Sequence, residues 1–203
     1  MTNRLKMHLH PLLKVKPDTQ FILASKSPRR QYLLKELGLE FEIASRDVDE
    51  SFPAELKREE IPLYLCNKKA EAFSDILSDN TIVITADTIV WVENRVLNKP
   101  ADEKEAKEML KMLSGKIHEV YTGCCIRSAK RSKSFHALTK VYFKKLSDEE
   151  INYYVSTFNP YDKAGAYGAQ EWIGYIAVEK IEGSYFNVMG LPVKELYEEL
   201  INF

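Results

Sequence analysis

A chain of 203 residues that is 45% hydrophobic and 29% charged has the balance of one ordinary folded domain, or of one elongated two-lobed domain, and not of a disordered segment or a repeat array. Its formal net charge of −1 argues against wholesale nucleic-acid binding, which needs a broad basic surface, so any anion site must be local. No apolar run approaches the roughly 20 residues that cross a bilayer, which argues against a membrane partner, and the opening MTNRLKMHLHPLLKVKPDTQ scatters Lys and His where a signal peptide carries a continuous apolar stretch.

In chain order, FILAS (residues 21–25) reads as a buried strand and Pro28 to Leu37 as a helix. Ser27 suits its N-cap, Pro28 its first position, Leu33, Leu34 and Leu37 its apolar face, and Gly38 its close. This helix carries Arg29 and Arg30 in its first turn, where the partial positive charge of the helix end favours Asp or Glu. A local rule broken on an otherwise well-specified element points to a functional site. The simplest partner is an anion that neutralises both arginines and accepts from the unpaired first-turn amides; the competing reading splays both side chains into water.

FEIAS (41–45) follows as a strand, then the acidic stretch RDVDES, whose Asp47, Asp49 and Glu50 read either as a solvated loop or as ligands for a hard cation. A long helix from about Pro62 to Leu77 carries Lys69. TIVITADTIVWV (81–92) is a continuous apolar run and reads as a buried central strand. Within it stands Asp87, and an ionised carboxylate there is costly unless it is paired, metal-bound or shifted in pKa. That makes Asp87 a catalytic candidate, against the alternative of a structural carboxylate. ENR (93–95) turns the chain into VLNKP, which holds Lys99.

A helix from Asp102 to Leu113 ends at Gly115, and strands Ile117 to Arg127 and Ser134 to Lys144 pair across the basic loop RSAKRSKS, which reads as a solvated hairpin connection. Ser147 and Glu150 form a capping box for a helix to about Val155. NPYDKAGAYGAQ (159–170) is too irregular for an element and has the length of functional loops. A strand from Ile173 to Ile181 and a closing helix from Pro192 to Leu200 complete an alternating α/β pattern with no linker between domains.

Cys66, Cys124 and Cys125 leave an odd thiol, and the adjacent pair reads as strand residues facing opposite ways, so a reducing cytoplasm is the expected location. The four histidines show no ligand spacing, no G-x-S-x-G surrounds Ser25 or Ser27, and no P-loop motif is present. Arg29, Arg30, Lys69 and Lys99 together with one or two carboxylates match what a nucleoside triphosphate and its metal require: positive charge for phosphate oxygens, acid for the metal and the attacking water.

LASKSPRR, ADTIV, LNKP, LSGKIHEVYTG, YDKAGAYGAQ and GSYFNVMGLPV, in this order, resemble the motifs of the Maf family of nucleotide pyrophosphatases from about Phe21 to Leu200. The resemblance implies an α/β fold like that of the inosine triphosphate pyrophosphatases, a mixed sheet flanked by helices with two lobes around a cleft. Residues 1–20 would form an N-terminal extension and 21–203 a single domain. It implies hydrolysis of nucleoside triphosphates between the α and β phosphates, with a divalent cation, Mg²⁺ or Mn²⁺, and a role in removing unwanted or modified nucleotides.

On the same resemblance the catalytic acid is Asp87, also a metal ligand. The positions that separate subfamilies are Arg29, Thr88 and Gln170, a set similar to the group acting on dTTP and UTP. The 7-methyl-GTP group carries a bulky aromatic at the first of these. The family's phosphate and metal contacts map onto Ser25, Arg30, Glu50, Lys69 and Lys99, with Glu50 as the metal ligand beside Asp87. Two alternatives stand: a non-catalytic nucleotide sensor that regulates a partner in cell division, and the same chemistry on another base. Oligomeric state is left open, a homodimer included.

Overall fold

A computed structural model describes residues 10–12 and 18–203. The expected extension over residues 1–20 therefore lies largely outside the described residues, but Leu12 is fully buried in the core that also holds Phe21 and Leu34.

The sheet has seven strands, β1 (Gln20–Leu23), β2 (Glu42–Ile43), β3 (Thr81–Val92), β4 (Arg95–Leu97), β5 (Ile117–Arg127), β6 (Ser132–Phe143) and β7 (Val178–Glu182), in the order β2-β1-β3-β5-β6-β7 with β4 also on β3. β1 runs parallel to β2 and β3, and every other pair is antiparallel. Among the described residues seven α-helices surround it: α1 (Pro28–Glu36), α2 (Glu60–Glu71), α3 (Glu103–Leu113), α4 (Asp148–Phe158), α5 (Trp172–Ala177), α6 (Tyr185–Met189) and α7 (Val193–Asn202).

β3 is buried on both faces, as its unbroken apolar run requires, and only Thr88 within it is partly exposed. β5 takes one edge of β3 from Val83 to Trp91. A strand has two edges, so β1, paired to Thr81–Ile84, and β4, paired to Val90–Val92, share the other. Between them residues 85–89 have no strand partner on that side among the described residues. The side chains divide at the same place. Ile82, Ile84 and Ala86 pack into a core with Leu23, Leu33, Leu34, Leu196 and Leu200, whereas Val90 and Val92 join a second core with Leu110, Leu113, Tyr154 and Ile173. The cleft between the two lobes thus opens over the unpaired middle of β3.

The opposite face of β3 is covered by α2, whose Ile61 and Leu65 meet Ile89, Trp91 and Tyr121. Gly123, in register with Asp87 on β5, lets this helix come close, because a Cβ there would lie 2.5 Å from the Pro62 backbone. Thr85 fastens the contact by donating its hydroxyl to the Cys66 carbonyl at 2.7 Å.

Several elements depart from expectation. The strand expected from Ile173 to Ile181 is the helix α5 followed by β7. Ile173 and Ala177, four apart, are buried while Tyr175 between them is exposed, which is helical spacing, and Gly174 packs so tightly that a Cβ would sit 2.0 Å from the Ala169 carbonyl oxygen. The helix expected to reach Leu77 stops at Glu71, where Phe73 and Ser74 close tighter turns through backbone bonds to Ala70 and Glu71. The FEIAS strand shrinks to Glu42–Ile43, and α4 runs on to Phe158. The expected capping box of Ser147 and Glu150 is present, and Asp102 caps α3.

One buried group gives the fold a pH dependence. His118, 1% exposed, lies edge-on to Phe143 and shares a 2.7 Å hydrogen bond with the Tyr167 hydroxyl. Burial lowers it from 6.5 to about 3. The unfolded chain therefore binds a proton below about pH 6.5 that the folded chain refuses, so this group erodes stability as pH falls from there towards 3. The expected slope is roughly 1.4 kcal/mol per pH unit. His118→Gln should flatten that acid limb in urea titrations, and an unchanged limb would remove His118 as its cause.

Candidate active site

Asp87 sits on the α2 side of β3, 8% exposed, where the strand loses its second neighbour. α2 delivers Lys69 directly onto it, pairing Nζ with Asp87 Oδ1. The same ammonium lies 2.8 Å from Glu50 Oε1, and Glu50 Oε2 lies 3.2 Å from Lys99 Nζ. A single alternating chain of charge, Asp87, Lys69, Glu50, Lys99, thus lines one wall. Burial pushes the Glu50 carboxyl up, but the hydrogen bonds and charges of Lys69 and Lys99 outweigh it and hold it below the ordinary range.

The other wall is the N-terminus of α1. Arg30 fills the gap in the β3 edge, donating from Nη1 to the Ala86 carbonyl at 2.8 Å, from Nη2 to Thr88 Oγ1 at 3.1 Å, and from Nε to the Gly190 carbonyl at 2.8 Å. Burial lowers its pKa against the opposing pull of Asp87, and a guanidinium stays protonated all the same. With three of its donors committed, Arg30 replaces the missing strand as much as it supplies charge. Arg29 reaches across the cleft to Asp162 at 3.0 Å. Ser25 Oγ accepts from the Ser27 amide at 3.2 Å, and Ser27 occupies the N-cap position without a side-chain cap.

The loop between α4 and α5 forms the far side. Its Lys163, 7% exposed, lies 2.7 Å from Asp162 and 3.0 Å from Glu171, and the Tyr154 hydroxyl donates to Glu171 at 2.5 Å. Burial raises Asp162, yet Lys163 and then Arg29 bring it below the usual carboxylate range. Gln170 beside them keeps a buried Oε1 with no hydrogen-bond partner among the described residues.

Ser25, Arg29, Arg30, Glu50, Lys69, Asp87, Thr88, Lys99 and Gln170 all line one cavity of about 480 Å³. The structure therefore brings these nine residues, and Asp47 with them, to one place. Asp49, read in the sequence beside Asp47 and Glu50 as a cation ligand, lies outside the cavity, where it pairs with Lys68 at 3.1 Å and accepts from the Ser51 amide at 3.0 Å. Asp162 and Lys163 line it too and were not singled out individually. The available signal was a charged pair in a loop otherwise rich in Gly and Ala.

Among the described residues no group of three or more His, Cys, Asp or Glu side chains is placed to hold a metal ion. Glu50 and Asp87 nevertheless both close on the Lys69 ammonium, so two carboxylates converge around one cationic centre. Two carboxylates completed by phosphate oxygens and water are the donor set that Mg²⁺ takes in phosphate chemistry, and the residues fit such an ion.

A family model described as Maf-like protein matches residues 20–203. Two curated relatives carry the name dTTP/UTP pyrophosphatase. One, from Parabacteroides distasonis, is 51% identical over 91% of this chain and 96% of its own length. The other, from Bacteroides thetaiotaomicron, is 52% identical over 89% and 94%. A solved structure of the Staphylococcus aureus Ham1 protein aligns with TM-score 0.42 and 16% identity over 62% of this chain and 72% of that one.

Proposed function

The chain belongs to the Maf family, and from that premise we propose that it hydrolyses nucleoside triphosphates, dTTP and UTP foremost, to the monophosphate and pyrophosphate, so removing unwanted or modified nucleotides. One observation carries the reading: the buried Asp87 carboxylate and the cations Arg29, Arg30, Lys69 and Lys99 line a single cavity at the unpaired stretch of the central strand. A ligand at such a break in an α/β sheet meets strand ends and a helix N-terminus at once.

In this reading the N-terminus of α1, with Arg29 and Arg30, holds the triphosphate, and Ser25 lies beside it. Asp87 takes a proton from the water whose oxygen bonds to the α-phosphorus. The bond from that phosphorus to the bridging oxygen breaks, and pyrophosphate leaves with the electron pair. Lys69 and Lys99 neutralise the charge that grows on the departing oxygens. A divalent cation, Mg²⁺ or Mn²⁺, held by Glu50 and Asp87 would add Lewis-acid stabilisation of the phosphate oxygens.

Gln170 and Thr88 read the pyrimidine edge, since an amide offers both a donor and an acceptor to the pattern shared by uracil and thymine. A pyrophosphate-release assay across a triphosphate panel, with and without Mg²⁺ or Mn²⁺, tests the whole proposal. dTTP and UTP should lead and CTP should be weak; equal CTP and UTP turnover would remove Gln170 and Thr88 as the readers. Binding without any pyrophosphate release would make the protein a sensor.

The same proposal places the enzyme in the cytoplasm, in keeping with three free cysteines that are all buried. No helix among the described residues is long and apolar enough to cross a membrane. A homodimer is the assembly to test by light scattering.

A further inference from the structure

Behind Thr88 lies a line of oxygens that the proposed reaction does not use. Thr88 Oγ1 accepts from Arg30 Nη2 at 3.1 Å and lies 2.9 Å from Thr122 Oγ1. Thr122 is fully buried on β5, and its hydroxyl stands 3.1 Å from the backbone carbonyl of Asn187. A carbonyl only accepts, so in that contact the proton belongs to Thr122. The carbonyl's other lone pair is taken by the Gly190 amide at 3.0 Å, so both bonds form together.

A hydroxyl has one proton. Having given its own to Asn187, Thr122 meets Thr88 as an acceptor, and the proton between the two threonines must come from Thr88. The opposite arrangement, with Thr122 donating to Thr88, leaves the contact to Asn187 without a proton in a buried place, which forfeits a hydrogen bond. With its proton turned inward and one lone pair on Arg30, Thr88 presents a single lone pair to the cleft.

We infer that Thr122 is a positioning residue that sets the polarity of Thr88, fixing it as a hydrogen-bond acceptor towards the nucleobase. This rests on the pyrimidine triphosphate reading above and deepens it. Phosphate oxygens only accept, so an acceptor facing them gains nothing, and Thr88 belongs to the base end of the cleft. Uracil and thymine offer an N3–H there, whereas cytosine carries a bare N3 that sets lone pair against lone pair. Discrimination against CTP then resides in the Thr88–Thr122 pair.

The experiment compares kcat/KM for UTP, CTP and 3-methyluridine triphosphate, which lacks the N3 proton, in wild type, Thr122→Val and Thr122→Ser. Wild type should favour UTP over both others by roughly tenfold or more, the scale of one mismatched buried hydrogen bond. Thr122→Val keeps the shape and frees the Thr88 proton to turn outward, so the CTP to UTP ratio should rise roughly tenfold, chiefly through KM. Thr122→Ser restores the hydroxyl and should restore the ratio.

An unchanged ratio in folded Thr122→Val, or an equal change for both triphosphates, overturns the inference. If Thr122→Val does not fold, wild type alone decides, since equal turnover of 3-methyluridine triphosphate and UTP also overturns it. If no triphosphate is hydrolysed, the pyrophosphatase reading has failed instead, and the same ratios measured as binding affinities still judge the threonine pair.

Discussion

Asp87→Asn should lower turnover by roughly 10³-fold or more, the scale of a lost general base, while leaving substrate affinity within a few-fold of wild type. Asn keeps the length of the side chain and an oxygen that accepts from Lys69, so the contact between β3 and α2 survives. What disappears is the negative charge and the ability to take a proton. Lys69 retains Glu50 at 2.8 Å, so no isolated buried cation is created and the fold should melt close to wild type. Single-turnover pyrophosphate release, together with titration of a non-hydrolysable α,β-methylene analogue, separates the two quantities. Wild-type turnover in this variant would sink the assignment of Asp87, and loss of binding with unchanged single-turnover rate would make Asp87 a ligand-holding group only.

The second large effect needs no polar group. Gly123→Ala adds one methyl group where α2 crosses the sheet, 2.5 Å from the carbonyl carbon and oxygen of Pro62 and 2.7 Å from the Leu63 amide nitrogen. These are backbone atoms of a helix, so no rotamer change relieves the overlap. Overpacking of this kind costs about 3 kcal/mol or more where the backbone must move. For a chain of this length that lowers the melting temperature by roughly 10 °C. Because α2 carries Lys69, the helix shift that relieves the clash also draws the ammonium away from Asp87, so kcat should fall along with stability. A melt and a kcat both indistinguishable from wild type would show that the helix yields at no cost.

Elements whose signals were local were legible in the sequence. The cap, proline and glycine around Arg29 marked α1, the Ser147–Glu150 pair marked α4, and the apolar run from Thr81 marked the central strand. Segment 172–177 was misread because WIGYIAV suits a strand equally well, and its helical form depends on Ile173 finding the second core and Gly174 nesting against Ala169. The site followed the same division. An ionised Asp in a greasy run and two arginines at a helix start announce themselves one residue at a time. That Arg30 spends its donors on Ala86 and Gly190 was hidden, because it requires β1 and β4 to leave the same edge of β3 bare. The parts played by Asp162 and Thr122 were hidden likewise, since each acts through a partner 34 or more positions away in the chain.

The bare stretch of β3 has a further meaning for heat and pressure on the molecule. Over residues 85–89 the two halves are zipped along one seam only, and across the open side the joint is made by a side-chain pair, Arg29 onto Asp162. A nucleotide bound there as proposed would touch both halves and act as a rivet, so its binding energy would be added to this join. Depletion of the ligand pool would then loosen the enzyme along the line where its reaction is proposed to take place.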